Sequence, residues 1–450
     1  MKHVSELRRH GLFDARVPRF TSYPPANWFS EKVDAECVHT WQSTAPKDAK
    51  ISLYVHIPFC RRLCWFCACR TQGTRSEAPL APYVERVLTE ARQMRNGFSN
   101  GVQTRRLHLG GGTPTILPAP VLDHLLTGLH DIWDFSALDE FSVEVDPTDV
   151  GPKRLAMLKQ HGLSRASLGI QDFDPQVQQA IGREQSRDLT ASVVDQLRAL
   201  NVNALNFDLL YGLPYQTEQT LTATLESALE MEPGRIALFG YAHVPWMSKR
   251  QSLIPSDALP APEKRLALFD LARRTLLGSG YVQIGIDHFA RPDDALAQAF
   301  FNKRLTRSFQ GYTDDTAPYL VGLGASAIST YPQGFAQNIP VTGKYAAQVE
   351  ANEPALWRGY VLTESDHLRA DIVEQLMCYH AATLSLSQRA DQTILSNIQH
   401  IVDRFGDAVS WDGKTLTITR WAHPLVRMIA GTFATEQTAQ TDKRTYSAAI

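Results

Sequence analysis

HIPFCRRLCWFCACR, residues 56–70, sets four cysteines close together: Cys60, Cys64, Cys67 and Cys69, spaced C-x3-C-x2-C-x-C. Cysteine thiolates are the usual ligands of iron–sulfur clusters, and full ligation of a [4Fe–4S] cube takes four. If only Cys60, Cys64 and Cys67 bind, the fourth iron lacks a protein ligand and is open to a small molecule. A tetrahedral zinc knot is the competing use of four cysteines. Such knots usually draw two pairs from separated segments, whereas here all four share one loop and no second C-x-x-C occurs among the six cysteines. Cys37 and Cys378 stand alone, which suggests no disulfide framework and fits a reducing compartment.

Outward from the loop, strand-like and helix-like stretches alternate. ISLYVHI (51–57), rich in β-branched and aromatic residues, leads directly into the cysteines. Helix-like APYVERVLTEARQM follows, then RRLHL ending in Gly110-Gly111-Gly112-Thr113-Pro114. FSVEV carries Glu144, RASLGI runs into Gln171, NALNFDLL carries Asp208, and RIALFGYAH leads to Ala242 and His243. Helical periodicity fills the gaps, as in RDLTASVVDQLRAL and QTLTATLESAL. Six βα units predict an α/β fold of parallel strands with helical crossovers. Polar residues at successive strand ends are the signature of a barrel site, because βα loops gather on one face. Six units are too few for eight strands, so the expectation is an open, partial (β/α)6 barrel, with YVQIGIDHF (281–289) extending the sheet. The expected division is an arm over residues 1–48, the barrel with its extension over 49–360, and a small, mainly helical domain over 361–450. In that last part Asp412-Gly413 sits between alternating apolar residues as a hairpin turn, which predicts a winged-helix-like unit.

The 450 residues carry a net charge of −2 and 44% hydrophobic residues, the composition of an ordinary globular enzyme. No global field attracts nucleic acid or an anionic membrane. No apolar run reaches bilayer length, and the expectation is a cytoplasmic monomer without a membrane span. Winged helices often bind DNA, but the C-terminal part has no basic stripe beyond Lys414, Arg420 and Arg427, so a substrate-covering or packing role is expected. The triple glycine is, read alone, a plain turn; beside the cysteine loop it allows close backbone approach to a ligand. Glu144 and Asp208 lie in apolar strands, where a carboxylate needs a partner: either a structural salt bridge or a ligand. Arg183 can pair with such a carboxylate or with a ligand's. Tyr54 and His56 share a face by strand alternation and face the barrel interior.

A longer ordered set carries a resemblance: PRFTSYP (18–24), YVHIPFCxxxCxxCxC, GGGTPT, EVDP, GIQDF, REQ, NFDLLYGLP, YAHVPWM, DHFARPDD, FQGYT and GASAIS. The sequence resembles, over nearly its whole length, the bacterial oxygen-independent coproporphyrinogen III oxidases (dehydrogenases). These are haem-biosynthetic members of the radical S-adenosylmethionine superfamily. The resemblance implies a [4Fe–4S] cluster on Cys60, Cys64 and Cys67 and two S-adenosylmethionine molecules, one of which yields a 5′-deoxyadenosyl radical. It implies that Tyr54, Gly111, Glu144 and Ile328 contact the first, and Phe66, Gly112, Thr113, Gln171, Arg183, Asp208 and Ala242 the second, with Phe309 and Gln310 nearby. It implies anaerobic decarboxylation of the ring A and B propionates of coproporphyrinogen III to vinyls, with an unidentified electron donor and terminal acceptor. Cys69, Tyr54 and His56 are the expected catalytic residues. Four propionates call for arginine forks; Arg19 is foremost among Arg8, Arg9, Arg16, Arg19, Arg291 and Arg307. The alternative relative is a haem chaperone with the same barrel and cluster, which typically has an aromatic residue in place of Cys69 and lacks the PRFTSYP arm.

Overall fold

The computed structural model describes residues 3–434 and 446–450; residues 435–445 of the polar tail lie outside them. Six parallel strands run in sequence order: β1 (Lys50–Ile57), β2 (Gln103–Gly111), β3 (Glu140–Val145), β4 (Arg165–Gln171), β5 (Ala204–Tyr211) and β6 (Arg235–Gly240). Helices connect them: α1 (Leu80–Asn96), α2 (Ala119–Ile132), α3 (Pro152–Gln160), α4 (Arg187–Ala199) and α5 (Glu218–Glu230). The helix α6 (Pro262–Gly278) follows β6. This is the partial barrel expected from the six βα units.

Alternation within the strands creates the site. Phe141, Val143 and Val145 of β3, Ala166 and Leu168 of β4, and Leu205, Phe207 and Leu209 of β5 are buried on the helix-covered face. The intervening residues Ser142, Glu144, Ser167, Gln171, Asn206 and Asp208 therefore face the other way. Register sets them side by side, Tyr54 opposite His108, His108 opposite Ser142, Glu144 opposite Ser167 and Ser167 opposite Asn206.

Both edges of the barrel are extended. The YVQIGIDHF segment extends the sheet as expected, but as two short strands rather than one: β8 (His288–Ala290) antiparallel to β6, and β7 (Val282–Ile284) antiparallel to β8. On the other side β9 (Tyr319–Leu323) pairs parallel with β1 and is followed by β10 (Ile328–Tyr331), β11 (Gly334–Asn338) and β12 (Leu356–Val361). Together these form one twelve-stranded sheet.

The C-terminal part runs α7 (Glu364–Tyr379), β13 (Ala381–Thr383), α8 (Leu386–Ala390), α9 (Gln392–Phe405), β14 (Val409–Trp411) and β15 (Thr415–Ile418). Three helices and a three-stranded sheet in that order give the winged-helix-like arrangement. The hairpin forms, but its turn differs from the Asp412-Gly413 expectation. The turning pair is Gly413-Lys414, with Gly413 at φ 88°, and the Asp412 carboxylate accepts from the Lys414 and Thr415 amides at 2.8 and 2.6 Å. An aspartate that caps the turn from its flank satisfies two amides at once.

Two large hydrophobic cores result. One fills the space between sheet and helices; the other joins Leu7, Leu12, Phe13, Phe20 and Tyr23 of the N-terminal segment to the buried faces of α7 and α9. The arm thus packs on the C-terminal unit. Buried Arg427 ties them: Nε and Nη2 donate to the Pro18 and Val17 carbonyls, and Nη1 to those of Ala448 and Ala449. Among the described residues no helix is long and apolar enough to cross a membrane.

Candidate active site

The cysteine loop leaves β1 at Ile57 and folds over the carboxyl ends of the barrel strands. Three of its sulfurs each accept one hydrogen bond from a different quarter. Thr113 Oγ1 donates to Cys60 Sγ at 3.5 Å, Arg183 Nη1 to Cys64 Sγ at 3.5 Å, and the Cys69 amide to Cys67 Sγ at 3.4 Å. Such bonds stabilise thiolates and tune an iron–sulfur centre. Its hydrogen bond with Cys69 brings Cys67 down to about 6, while that bond and the Cys67 charge push Cys69 well up. Burial lifts Cys60 to about 11. Among the described residues no three His, Cys, Asp or Glu side chains close on a point that suits a single metal ion. Cys69 instead lines the large cavity described below.

The end of β2 forms a cradle. A Cβ on Gly112 would lie 2.7 Å from the Phe59 carbonyl and 2.9 Å from Cys60 Sγ, so only glycine lets this backbone lie against the loop. Gly111, at φ 117°, places its amide 3.0 Å from Glu144 Oε2. Tyr54 stacks on His108 at 5.7 Å and bonds His56 Nδ1 at 2.9 Å, while His56 Nε2 meets the Arg70 carbonyl at 3.1 Å. Burial lowers the pKa of His56. His108 Nδ1 bonds Ser142, and its Nε2 is 3.5 Å from Glu144.

Among the described residues neither Glu144 nor Asp208 pairs with a lysine or arginine; the one ion-pair partner of Glu144 is His108, when that ring is protonated. Asp208 accepts from Ser167 Oγ at 3.2 Å and from Asn206 Nδ2 at 2.9 Å. Burial, with the Glu144 charge adding to it, raises Asp208 to about 6. Arg183 is buried and bonds Asp146, the Gly169 carbonyl and Gln185 as well as Cys64. Burial opposes its charge, but Asp146 and Cys64 outweigh that and raise its pKa. Its Nε and the Asn206 Oδ1 are buried without a hydrogen-bond partner among the described residues. Gln171 sits at φ 72° where the β4–β5 register shifts, a strained non-glycine position of the kind that gathers at sites. Phe66 packs in a small apolar cluster with Tyr241 and Ile254, and Ile328 opens β10 against Gly322 of β9. The donor set, the glycine cradle and the unpartnered buried atoms fit a thiolate-held cluster with a polar organic cofactor beside it.

A cavity of about 1030 Å³ opens from Cys69 and Ala242 towards the arm and the C-terminal unit. Among the described residues seven arginines line it, Arg16, Arg19, Arg265, Arg273, Arg307, Arg420 and Arg427, against two side-chain carboxylates, Asp270 and Asp287. Phe309 and Gln310 also line it, with Phe309 edge-on to Phe29 and Phe335. Arg19, whose surface faces this cavity, bonds the Gly240 carbonyl at 3.3 Å, and burial lowers its pKa despite nearby Asp287. The arm arginines divide: Arg16 and Arg19 reach the cavity, whereas Arg8 pairs with Glu263 and Arg9 lies 4.0 Å from Asp407. Arg291 does not line it, and Arg307 does. Sequence reasoning missed His108, although the alternation that places Gly110 inward on β2 places His108 there too. It also missed Arg265 and Arg273, since a helical arginine after β6 carries no local mark of its destination.

Comparison with known proteins agrees with this geometry. Residues 54–228 match the family model of the radical SAM superfamily. The oxygen-independent coproporphyrinogen III oxidase of Paracoccus denitrificans is 47% identical over 437 residues, 96% of this chain and 97% of that protein. The protein of that name from Escherichia coli K12 is 38% identical, covering 80% and 79%. The solved structure of the Escherichia coli coproporphyrinogen III oxidase, described as a radical SAM enzyme, superposes with a TM-score of 0.88 at 34% identity, covering 94% of this chain and 100% of that one. With the cysteine loop, the barrel and this likeness along almost its entire length, the chain belongs to the oxygen-independent coproporphyrinogen III oxidase family of radical SAM enzymes.

Proposed function

We propose that the chain converts coproporphyrinogen III to protoporphyrinogen IX without oxygen, by oxidative decarboxylation of the ring A and B propionates. The observation that carries the reading is the arginine-lined cavity opening at Cys69 and Ala242. Its volume suits a molecule of macrocycle size, and its excess of guanidinium groups suits four carboxylates. Bound at Cys60, Cys64 and Cys67, a [4Fe–4S] cluster supplies one electron, and S-adenosylmethionine a 5′-deoxyadenosyl radical that removes a hydrogen atom.

The chain's own residues bind, orient and shield. Thr113, Arg183 and the Cys69 amide hold the three sulfurs. Tyr54, the Gly111 amide, Glu144 and Ile328 serve a first cofactor molecule. Phe66, Gly112, Thr113, Gln171, Arg183, Asp208 and Ala242 serve a second, with Phe309 and Gln310 beside it. Tyr54 and His56, held by their mutual bond, and Cys69, which of the three lines the cavity, are the residues assigned to the reacting propionate. Each propionate gives one hydrogen atom from its β-carbon, one carbon dioxide and one electron. That electron leaves to an external acceptor, and a separate donor reduces the cluster.

The test is an anaerobic assay of the reconstituted protein with coproporphyrinogen III, S-adenosylmethionine and a reductant, with product analysis. The expected products are protoporphyrinogen IX and two carbon dioxide per substrate. Stoichiometric haem binding without decarboxylation would transfer the chain to a haem-delivery role.

A further inference from the structure

Two separate cationic groups line the cavity. The charges acting most on Arg19 are those of Asp287, Tyr211, Arg307 and Cys69, which identifies a group at the cysteine-loop side. The second group lies where α6 meets the C-terminal unit. It comprises Arg273 of α6, His380 at the end of α7, and Arg420 and His423 in the turn after β15.

This second group is built tightly and carries more positive than negative side-chain charge among the described residues. The His380 and His423 rings stack 3.8 Å apart at an interplanar angle of 4°. The Ile418 amide donates to the His380 carbonyl at 2.8 Å, fixing that backbone. Burial brings His380 to about 3 and His423 to about 4, the adjacent arginines contributing for His423, so both rings are neutral at pH 7 and each retains one N–H donor. Burial lowers the pKa of Arg273, and the nearby Arg420 charge adds to that effect against Asp270. Arg273 Nε donates to Gln283 at 2.8 Å, and neither arginine forms an ion pair among the described residues. Asp270 is the one side-chain carboxylate on this side of the lining among the described residues. Two guanidinium groups lining the same cavity as a stacked pair of neutral imidazoles are relieved by a bound anion.

We infer that Arg273, Arg420 and the stacked His380–His423 pair form a second carboxylate subsite, which holds one propionate of the substrate while another reacts near Cys69. The inference rests on the decarboxylase reading above and deepens it. It makes the C-terminal unit part of the substrate site, and it gives the enzyme a means of retaining the macrocycle between its two decarboxylations. Loss of the first carboxylate leaves a tricarboxylate that must turn to present the second. A hold remote from the reacting carbon keeps that intermediate from escaping.

The experiment compares wild type with R273A, R420A, the double variant and R420K, each reconstituted with its cluster. Binding of coproporphyrin III, a stable tetracarboxylate, is followed by fluorescence, with iron content and circular dichroism as checks on folding. Loss of one charged contact costs about 10–100-fold in affinity. R273A and R420A are expected to weaken binding by that order, to raise KM far more than they lower kcat, and to increase the ratio of released tricarboxylate to final product. R420K is expected to recover part of the loss. Folded variants with unchanged affinity and an unchanged product ratio would overturn the subsite while leaving the decarboxylase reading intact. A wild-type protein that releases no carbon dioxide would instead remove the reading on which the inference rests.

Discussion

Asp208 has ionisation behaviour that follows from its place. An inward strand position gives it Ser167 and Asn206 as its hydrogen-bond partners among the described residues, and burial lifts it to about 6. A raised carboxyl binds its proton more tightly folded than unfolded. Its contribution to stability is therefore fully present below about pH 4 and falls as pH rises towards 6. Asp208→Asn is expected to stabilise the cofactor-free protein at pH 7.5 by up to about 2 kcal/mol, read as a higher melting temperature. Cofactor amino or hydroxyl groups favour the charged form, so wild-type affinity for S-adenosylmethionine should rise from pH 5 to pH 7, with proton release. Calorimetry in buffers of different ionisation enthalpy measures both, and a flat profile in wild type would argue against the assignment. Cys69→Ser tests the other residue of note. Because its thiol faces the cavity while its amide serves Cys67, the variant should keep the cluster spectrum and lose most turnover. At this scale the sequence marked the residues that bear chemistry and missed those that hold them. Cysteines, lone strand carboxylates and glycine runs are conspicuous, whereas His108 and Ser167 acquire their roles from cross-strand register.

At the scale of elements, alternation and turn residues were readable because they are local. The six parallel strands fall within a residue or two of the apolar runs that predicted them, and the inward polar rows follow from period two alone. The hairpin shows the limit. Asp-Gly predicts the usual turning pair, yet here the aspartate's two backbone contacts put it one place earlier. The turn after β2 supports a sharper prediction. A methyl group on Gly112 would meet the Phe59 carbonyl and Cys60 Sγ below 3 Å, and these are a backbone atom and a short, partly buried side chain of the cysteine loop that cannot move freely. Gly112→Ala should therefore lower the iron retained after reconstitution by half or more, with far-ultraviolet dichroism unchanged. Equal iron content in the two proteins would mean that the loop has slack.

For the whole molecule, the least legible feature was the partnership of the two chain segments that frame the cavity. Apolar residues at 7, 12, 13 and 20 announce burial, but nothing local says that they will be buried against α7 and α9. The same holds for Arg427, a basic residue without an evident task in the sequence, whose guanidinium reaches four carbonyls in segments some 410 and 22 residues away. Arg427→Ala leaves those carbonyls short of a donor in a buried setting, and the expected cost is about 2–4 kcal/mol. Limited proteolysis should then cut within residues 14–25 well before the barrel, and equal protection of both would refute the tie. The long reach of that guanidinium also has a consequence in time. A ribosome adding about 5–20 residues per second exposes the arm's sequence on the order of 20–80 seconds before the residues that hold it. The parallel strands are complete at Gly240, so only over the last part of that interval, on the order of 10–40 seconds, can the barrel fold with its mouth uncovered, the door being hung afterwards.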